Sequence, residues 1–170
     1  MVGNPQRLCC QKHYIGFSAI NKPSSPMYRP GFQKHHLIPL STRRYNIFRD
    51  MFDKADLSLN NFAENGLLLP AEERIAAMAR LPLHRGPHPL YSELVHQRLA
   101  NIGRTAAALS ASETAIRLKT MQSALRKTLI NHAKRPKPLL LNRRDPLHSD
   151  MDFGHLDAAI DRLWPAIAEC

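Results

Sequence analysis

Apolar residues recur at Leu118, Met121, Leu125 and Leu129, at spacings of 3, 4 and 4, with polar and basic residues between them. That period is the buried stripe of a helix. It predicts a long helix from about Ser112 to Ala133, capped by Ser110 or Ser112 and terminated by Pro136 and Pro138. A second stripe, Leu156, Ile160, Leu163 and Ile167, predicts a last helix over about 152–168, kinked at Pro165. Residues 89–102 predict a third, with Pro89 suited to its first turn and Gly103 to its end. AEERIAAMARL (71–81) is helical in composition, with acids in its first turn. A short helix also fits around Tyr45–Lys54.

Strand signals are fewer and shorter. FQKHHLIPL (32–40) predicts one strand ending at Pro39. Asn65-Gly66 is a turn signal, and Leu67-Leu68-Leu69 then predicts a short buried strand stopped by Pro70. PLHRGPHPL (82–90) holds too many prolines to be one regular helix, and residues 1–31, broken by four prolines and three glycines, predict an irregular arm. The fold class expected is α+β, a small ββα core embedded among several helices. The expected organisation is an arm over 1–31, a core over 32–103, and a helical basic extension with an acidic last helix over 104–170.

Charge changes this picture. The net charge is +10, with a pI near 10.0, and it is unevenly placed. Residues 1–50 carry eight Lys/Arg against Asp50, residues 104–144 carry ten against Glu113, and residues 145–170 carry Arg162 against six acids. Such a surplus points to an acidic partner: nucleic acid, an anionic surface or an acidic protein. Aromatics make up only 6% and do not interleave with the basic segment, which argues against a stacking platform for single strands. The three cysteines, Cys9, Cys10 and Cys170, fit neither a disulfide framework nor a zinc-cysteine site, and point to a reducing, cytoplasmic setting. The first 20 residues lack the apolar core of a secretory signal. No apolar run approaches the roughly 18 residues of a membrane span, so no membrane partner is expected.

Four of the nine histidines fall in two tight pairs, His35-His36 and His84 with His88, and Asn65-Gly66 lies between them. Neutral imidazole can act as a general base near pH 7 and can ligate a divalent ion. Phosphodiester hydrolysis needs both a base for water and a cation for the charge that builds on phosphate.

The strings KHHLIP (34–39), NGLLLP (65–70) and LHRGPHPLY (83–91) resemble, in that order, the AHH family of nucleases. That family belongs to the HNH/endonuclease VII superfamily and often forms the toxin module of bacterial polymorphic toxins. Lys34 stands where the family name has Ala, beside the two histidines rather than among them. The DNase colicins are similar in logic, with paired histidines, an Asn before a strand and a His-x-x-x-His. The resemblance implies His36 as general base, with Asn65 holding its imidazole through the side-chain oxygen. It implies His35, His84 and His88 as ligands of one divalent ion, Mg²⁺, Zn²⁺ or Ni²⁺. Gly86 and Pro87 place His84 before the helix and His88 near its start.

Arg85 is placed to reach a phosphate, and Arg126, Lys127, Lys134 and Arg135 to track the backbone of nucleic acid. The function expected is a metal-dependent endonuclease acting on double-stranded DNA rather than RNA. A toxin role would bring delivery to another cell and an acidic immunity partner. The alternatives from other classes are an inactive nucleic-acid-binding module and a binding module for an acidic protein. Tyr91 is expected to be helix packing. Cys9-Cys10 is expected to be inert, and Asp145, His148, Asp150 and Asp152 to form a solvated loop.

Overall fold

The computed structural model describes residues 14–134 together with Leu141, Asn142 and Asp145. The helix expected over 152–168, the three cysteines, and the prolines expected to end the long helix lie outside the described residues. So does Arg135.

The fold is α+β. Strands β1 (Phe32–His36) and β2 (Gly66–Pro70) pair antiparallel, with Phe32 opposite Pro70, His35 opposite Leu67 and His36 opposite Gly66. Strand β1 ends three residues before Pro39. Its next two N–H groups leave the ladder: Leu37 donates to the backbone oxygen of Asn65 and Ile38 to the Asn65 side-chain oxygen.

Asn65-Gly66 makes no hairpin turn. Asn65 is the last residue of a one-turn helix, α2 (Phe62–Asn65), and Gly66 is extended. Glycine leaves room here for the Phe62 ring, which a Cβ would force to shift. Residues 37–65 therefore form the connection between the strands. They include a 3₁₀ turn (Leu40–Arg44) and helix α1 (Asn46–Lys54), with Phe48, Met51 and Phe52 buried.

After β2, helix α3 (Glu73–Ala79) stops at Arg80, which adopts a left-handed conformation with φ 55°. Helix α4 spans Pro89–Ala106, with Pro at its first position. It runs through Gly103, which does not take the positive φ of a helix-ending glycine. The end falls instead where Lys54 donates to the carbonyls of Ala106 and Leu109, the first of which also accepts from the Leu109 N–H. Helix α5 (Ala111–Ile130) begins at Ser110 with a capping box: the Ser110 side chain accepts from the Glu113 N–H, and the Glu113 carboxylate accepts from the Ser110 N–H.

The apolar stripe of α5, Leu118, Met121, Leu125 and Leu129, is buried in one core with Leu37, Ile38 and Phe52 of the strand connection, Leu69 of β2, and Tyr91, Val95 and Leu99 of α4. Helix α5 packs on α1, α4 and α2, and α2 and α3 pack on β2. The two-stranded sheet alone could not bury enough apolar surface to be stable. The helices supply that core and hold the end of β1 against the start of α4.

Candidate functional site

Successive side chains of a strand point to opposite faces. His35 and His36 therefore look in different directions from the end of β1. His35 is fully buried, and its ring meets those of Tyr91, His84 and His88 edge-on at centroid distances of 4.9, 4.7 and 5.0 Å. His36 is half-buried on the other face, where the Phe17 ring stacks on it at 3.6 Å with planes 5° apart.

The second histidine pair reaches His35 from an irregular segment. The His84 N–H donates to the Pro70 carbonyl at 2.7 Å, which ties residue 84 to the end of β2. Gly86 takes φ 72°, a conformation that favours glycine, and turns the chain toward α4. His88 is the residue before the first turn of α4. The Nε2 atoms of His84 and His88 come within 3.2 Å. One nitrogen from each of His35, His84 and His88 lies within 4.8 Å of the others.

The segment bearing His84 is held from a second side. Asp145 accepts from the Leu83 N–H at 2.8 Å and meets the buried His132 at 3.2 Å, and Asn142 donates to the Arg85 carbonyl at 2.6 Å. Asp145 is thus buried, not part of a solvated loop. A carboxylate can leave water here because a backbone N–H and an imidazole stand against it.

Electrostatics favour the neutral imidazole throughout. Burial, then the neighbouring histidines, hold His35 well below the usual range. Burial and then His88 push His84 down to about 4. Burial lowers His88 as well. For His36 burial is the larger cause and the Lys34 ammonium the smaller. A ligand histidine must be unprotonated. Both nitrogens of His35, Nδ1 of His84 and Nδ1 of His88 are buried without a hydrogen-bond partner. Buried polar atoms seldom go unpaired. Three neutral, convergent imidazoles with orphaned nitrogens are the donor set of a divalent cation, so the residues fit a metal ion.

Asn65 does not hold the His36 ring. Its side-chain oxygen accepts from Ile38 N–H at 2.8 Å and from Gln122 Nε2 at 3.1 Å, and its amide nitrogen donates to the carbonyls of Ile38 and Leu59 at 2.9 and 3.0 Å. Every donor and acceptor of the amide is used. Asn65 instead fixes the backbone that follows His36. Tyr91 acts at the same place: its buried hydroxyl donates to the Leu37 carbonyl at 2.7 Å, and burial pushes its pKa up. It is helix packing, as expected, and also a wall of the histidine cluster.

The basic residues part company. Arg85, Lys127 and Lys134 are exposed. Arg126 is half-buried and donates to the carbonyls of Ala63 and Glu64 at 2.9 and 3.1 Å, so it closes the end of α2 rather than standing free for phosphate. Phe17, Gln122, His132 and Asp145 were not singled out from the sequence as parts of the site. None carried a distinctive signal, Phe17 being one of several large apolar residues in YIGFSAI (14–20).

A strand-borne histidine pair, a second pair on the segment that leads into α4 and an intervening Asn before the partner strand form the candidate histidine site. A family model described as a nuclease family of the HNH/ENDO VII superfamily with conserved AHH matches residues 18–127. The chain belongs to the AHH family of nucleases. No curated protein and no solved structure matches the chain. Among the described residues no helix is long and apolar enough to cross a membrane.

Proposed function

We propose that this nuclease is a metal-dependent endonuclease that hydrolyses phosphodiester bonds of double-stranded DNA. His35, His84 and His88 are the metal ligands and His36 is the general base. The observation that carries the reading is the convergence of three buried, neutral imidazoles with unpaired nitrogens, one residue along β1 from a fourth that is half-exposed.

A divalent ion bound there would neutralise the charge that builds on the scissile phosphate. His36, kept neutral near pH 7, accepts a proton from water as the water oxygen attacks phosphorus. The P–O bond to the leaving strand then breaks, and its oxygen takes a proton from solvent. Asn65 and Tyr91 fix the backbone on either side of Leu37, and so the end of β1 that carries His36. Arg85, exposed beside His84, binds a phosphate oxygen, and Lys127, Lys134 and Arg135 add backbone affinity.

Three imidazoles favour Zn²⁺ or Ni²⁺ on affinity, while Mg²⁺ is the abundant cellular ion. The preference for DNA rests on the likeness of the His-His, Asn and His-x-x-x-His order to the DNase colicins. The same likeness supports a role as an effector nuclease held in check by an acidic immunity partner, and the net charge of +10 suits such a partner.

The test is plasmid cleavage with purified protein. Wild type should nick and linearise plasmid, EDTA should stop it, and a divalent ion should restore it. His36→Ala should keep metal affinity and lose roughly 10² or more in rate. Wild-type cleavage by His36→Ala would remove the base assignment. Cleavage unaffected by EDTA would remove the metal.

A further inference from the structure

Asn65 does not orient the His36 ring, because its amide is fully engaged elsewhere. Nε2 of His36 is buried without a hydrogen-bond partner. The group that does meet the ring is Phe17, nearly coplanar with it at a centroid distance of 3.6 Å. Phe17 is itself held. Its ring meets Phe62 edge-on at 5.0 Å, and Phe62 lies over Gly66, the residue that faces His36 across the sheet. A larger residue at 66 would displace that ring.

The backbone around Phe17 is anchored as well. Gly16 pairs with Asn61 as an antiparallel bridge, the Phe62 N–H donates to the Ile15 carbonyl at 2.6 Å, and the Ile15 N–H donates to Asn61 Oδ1 at 3.2 Å. Lys34 donates from Nζ to the Phe17 carbonyl at 3.1 Å. Lys34 is the position at which this chain departs from the alanine for which its family is named. An alanine has no side chain able to reach that carbonyl.

We infer that Phe17, pinned by Lys34, is the positioning residue of the base: its stacked ring sets the plane of the His36 imidazole. This rests on the proposed role of His36 as base. The stack acts through ring contact alone, so an aromatic replacement preserves it and an aliphatic one of similar size does not. An aromatic pair of this kind is worth roughly a 2- to 10-fold bias between side-chain orientations.

The experiment measures kcat and KM for plasmid cleavage by metal-loaded wild type, Phe17→Leu, Phe17→Tyr, His36→Ala and the double variant Phe17→Leu/His36→Ala, well below each melting temperature. Proton NMR of the His36 ring is read in wild type and Lys34→Ala. Expected are a kcat for Phe17→Leu lower by about 2- to 10-fold with KM unchanged, and near-wild-type kcat for Phe17→Tyr. In the His36→Ala background Phe17→Leu should have no further effect, because the residue acts only through His36. The wild-type His36 ring protons should be shifted upfield by the stacked ring, and less so in Lys34→Ala.

A Phe17→Leu effect confined to KM, a rise in kcat, or a full effect in the double variant would overturn the inference while leaving His36 as base. So would unshifted His36 protons in wild type, a result that needs no variant to fold. Wild-type cleavage by His36→Ala would overturn the base reading itself, and the inference with it.

Discussion

Asn65 shows how much one buried side chain can carry. Its amide makes four hydrogen bonds, joining the end of β1, residue 59 and helix α5 at one point. Removing it leaves two backbone carbonyls, a backbone N–H and the Gln122 amide short of a partner inside the core. Each such group costs about 1–3 kcal/mol. Asn65→Ala should therefore lower unfolding free energy by roughly 3 kcal/mol or more, read from urea denaturation of the metal-free protein. Removing a residue that only oriented the half-buried His36 imidazole would cost activity and little stability, so an unchanged urea midpoint would refute this role.

The histidine cluster carries its own pH signature at the same scale. In the unfolded chain His84 takes a proton near 6.5, and in the folded protein only near 4. Between these values the unfolded state binds more protons, so stability is full above 6.5 and falls as pH drops toward 4. His35 and His88 shift in the same direction. For His84 alone the loss is on the order of 3 kcal/mol. Metal-free protein should accordingly show a lower urea midpoint at pH 5 than at pH 7.5, and His84→Ala should flatten that difference. Equal midpoints at the two pH values in wild type would contradict the buried, neutral cluster.

Among the elements, helix α5 joins two jobs that composition cannot separate. It sends Gln122, Arg126 and Lys119 to α2, with Arg126 on the carbonyls of Ala63 and Glu64 and the exposed Lys119 paired with Glu64 at 3.7 Å. Its outer face presents Lys127 to solvent. Replacing the two adjacent cations singly should divide the effects. Arg126→Gln should lower the melting temperature, because it strips partners from α2 carbonyls. Lys127→Gln should leave the melting temperature alone and flatten the log–log salt dependence of duplex binding by about 0.9. If Arg126→Gln changed only the salt slope, its carbonyl contacts would not matter to the fold.

At the scale of the whole molecule, the site depends on chain well beyond the histidine motifs. Asp145 and Asn142 fix residues 83 and 85 on either side of His84, across 62 and 57 positions of sequence, from beyond the segment that the family model matches. Asp145→Ala should therefore weaken Zn²⁺ affinity by calorimetry, while Asp53→Ala, which breaks the exposed ion pair with Arg43, should leave it unchanged. Equal Zn²⁺ affinity in wild type and Asp145→Ala would show that His84 needs no such clamp.

What the sequence by itself determined is what neighbouring residues can encode. The 3, 4, 4 stripe of Leu118, Met121, Leu125 and Leu129, the Ser110 cap, Pro89 at the start of α4 and the short strands around His35 and Leu68 are local patterns, and each is an element of the fold. The two histidine pairs were legible as candidate ligands, three of which the fold brings together, and Gly86-Pro87 foretold that His84 would precede the helix. Tertiary structure alone decided which partners satisfy each polar group. The Asn65 amide could have served an imidazole, but four nearer groups from distant parts of the chain use it fully. Phe17 came to lie on His36 because Gly66 left room for Phe62 and Lys34 could reach a carbonyl 17 residues away. Asp145 could leave water because Leu83 and His132 stood ready to meet it. These outcomes turn on the cost of an unpaired buried polar group, and that cost is set by the whole packing rather than by local spacing.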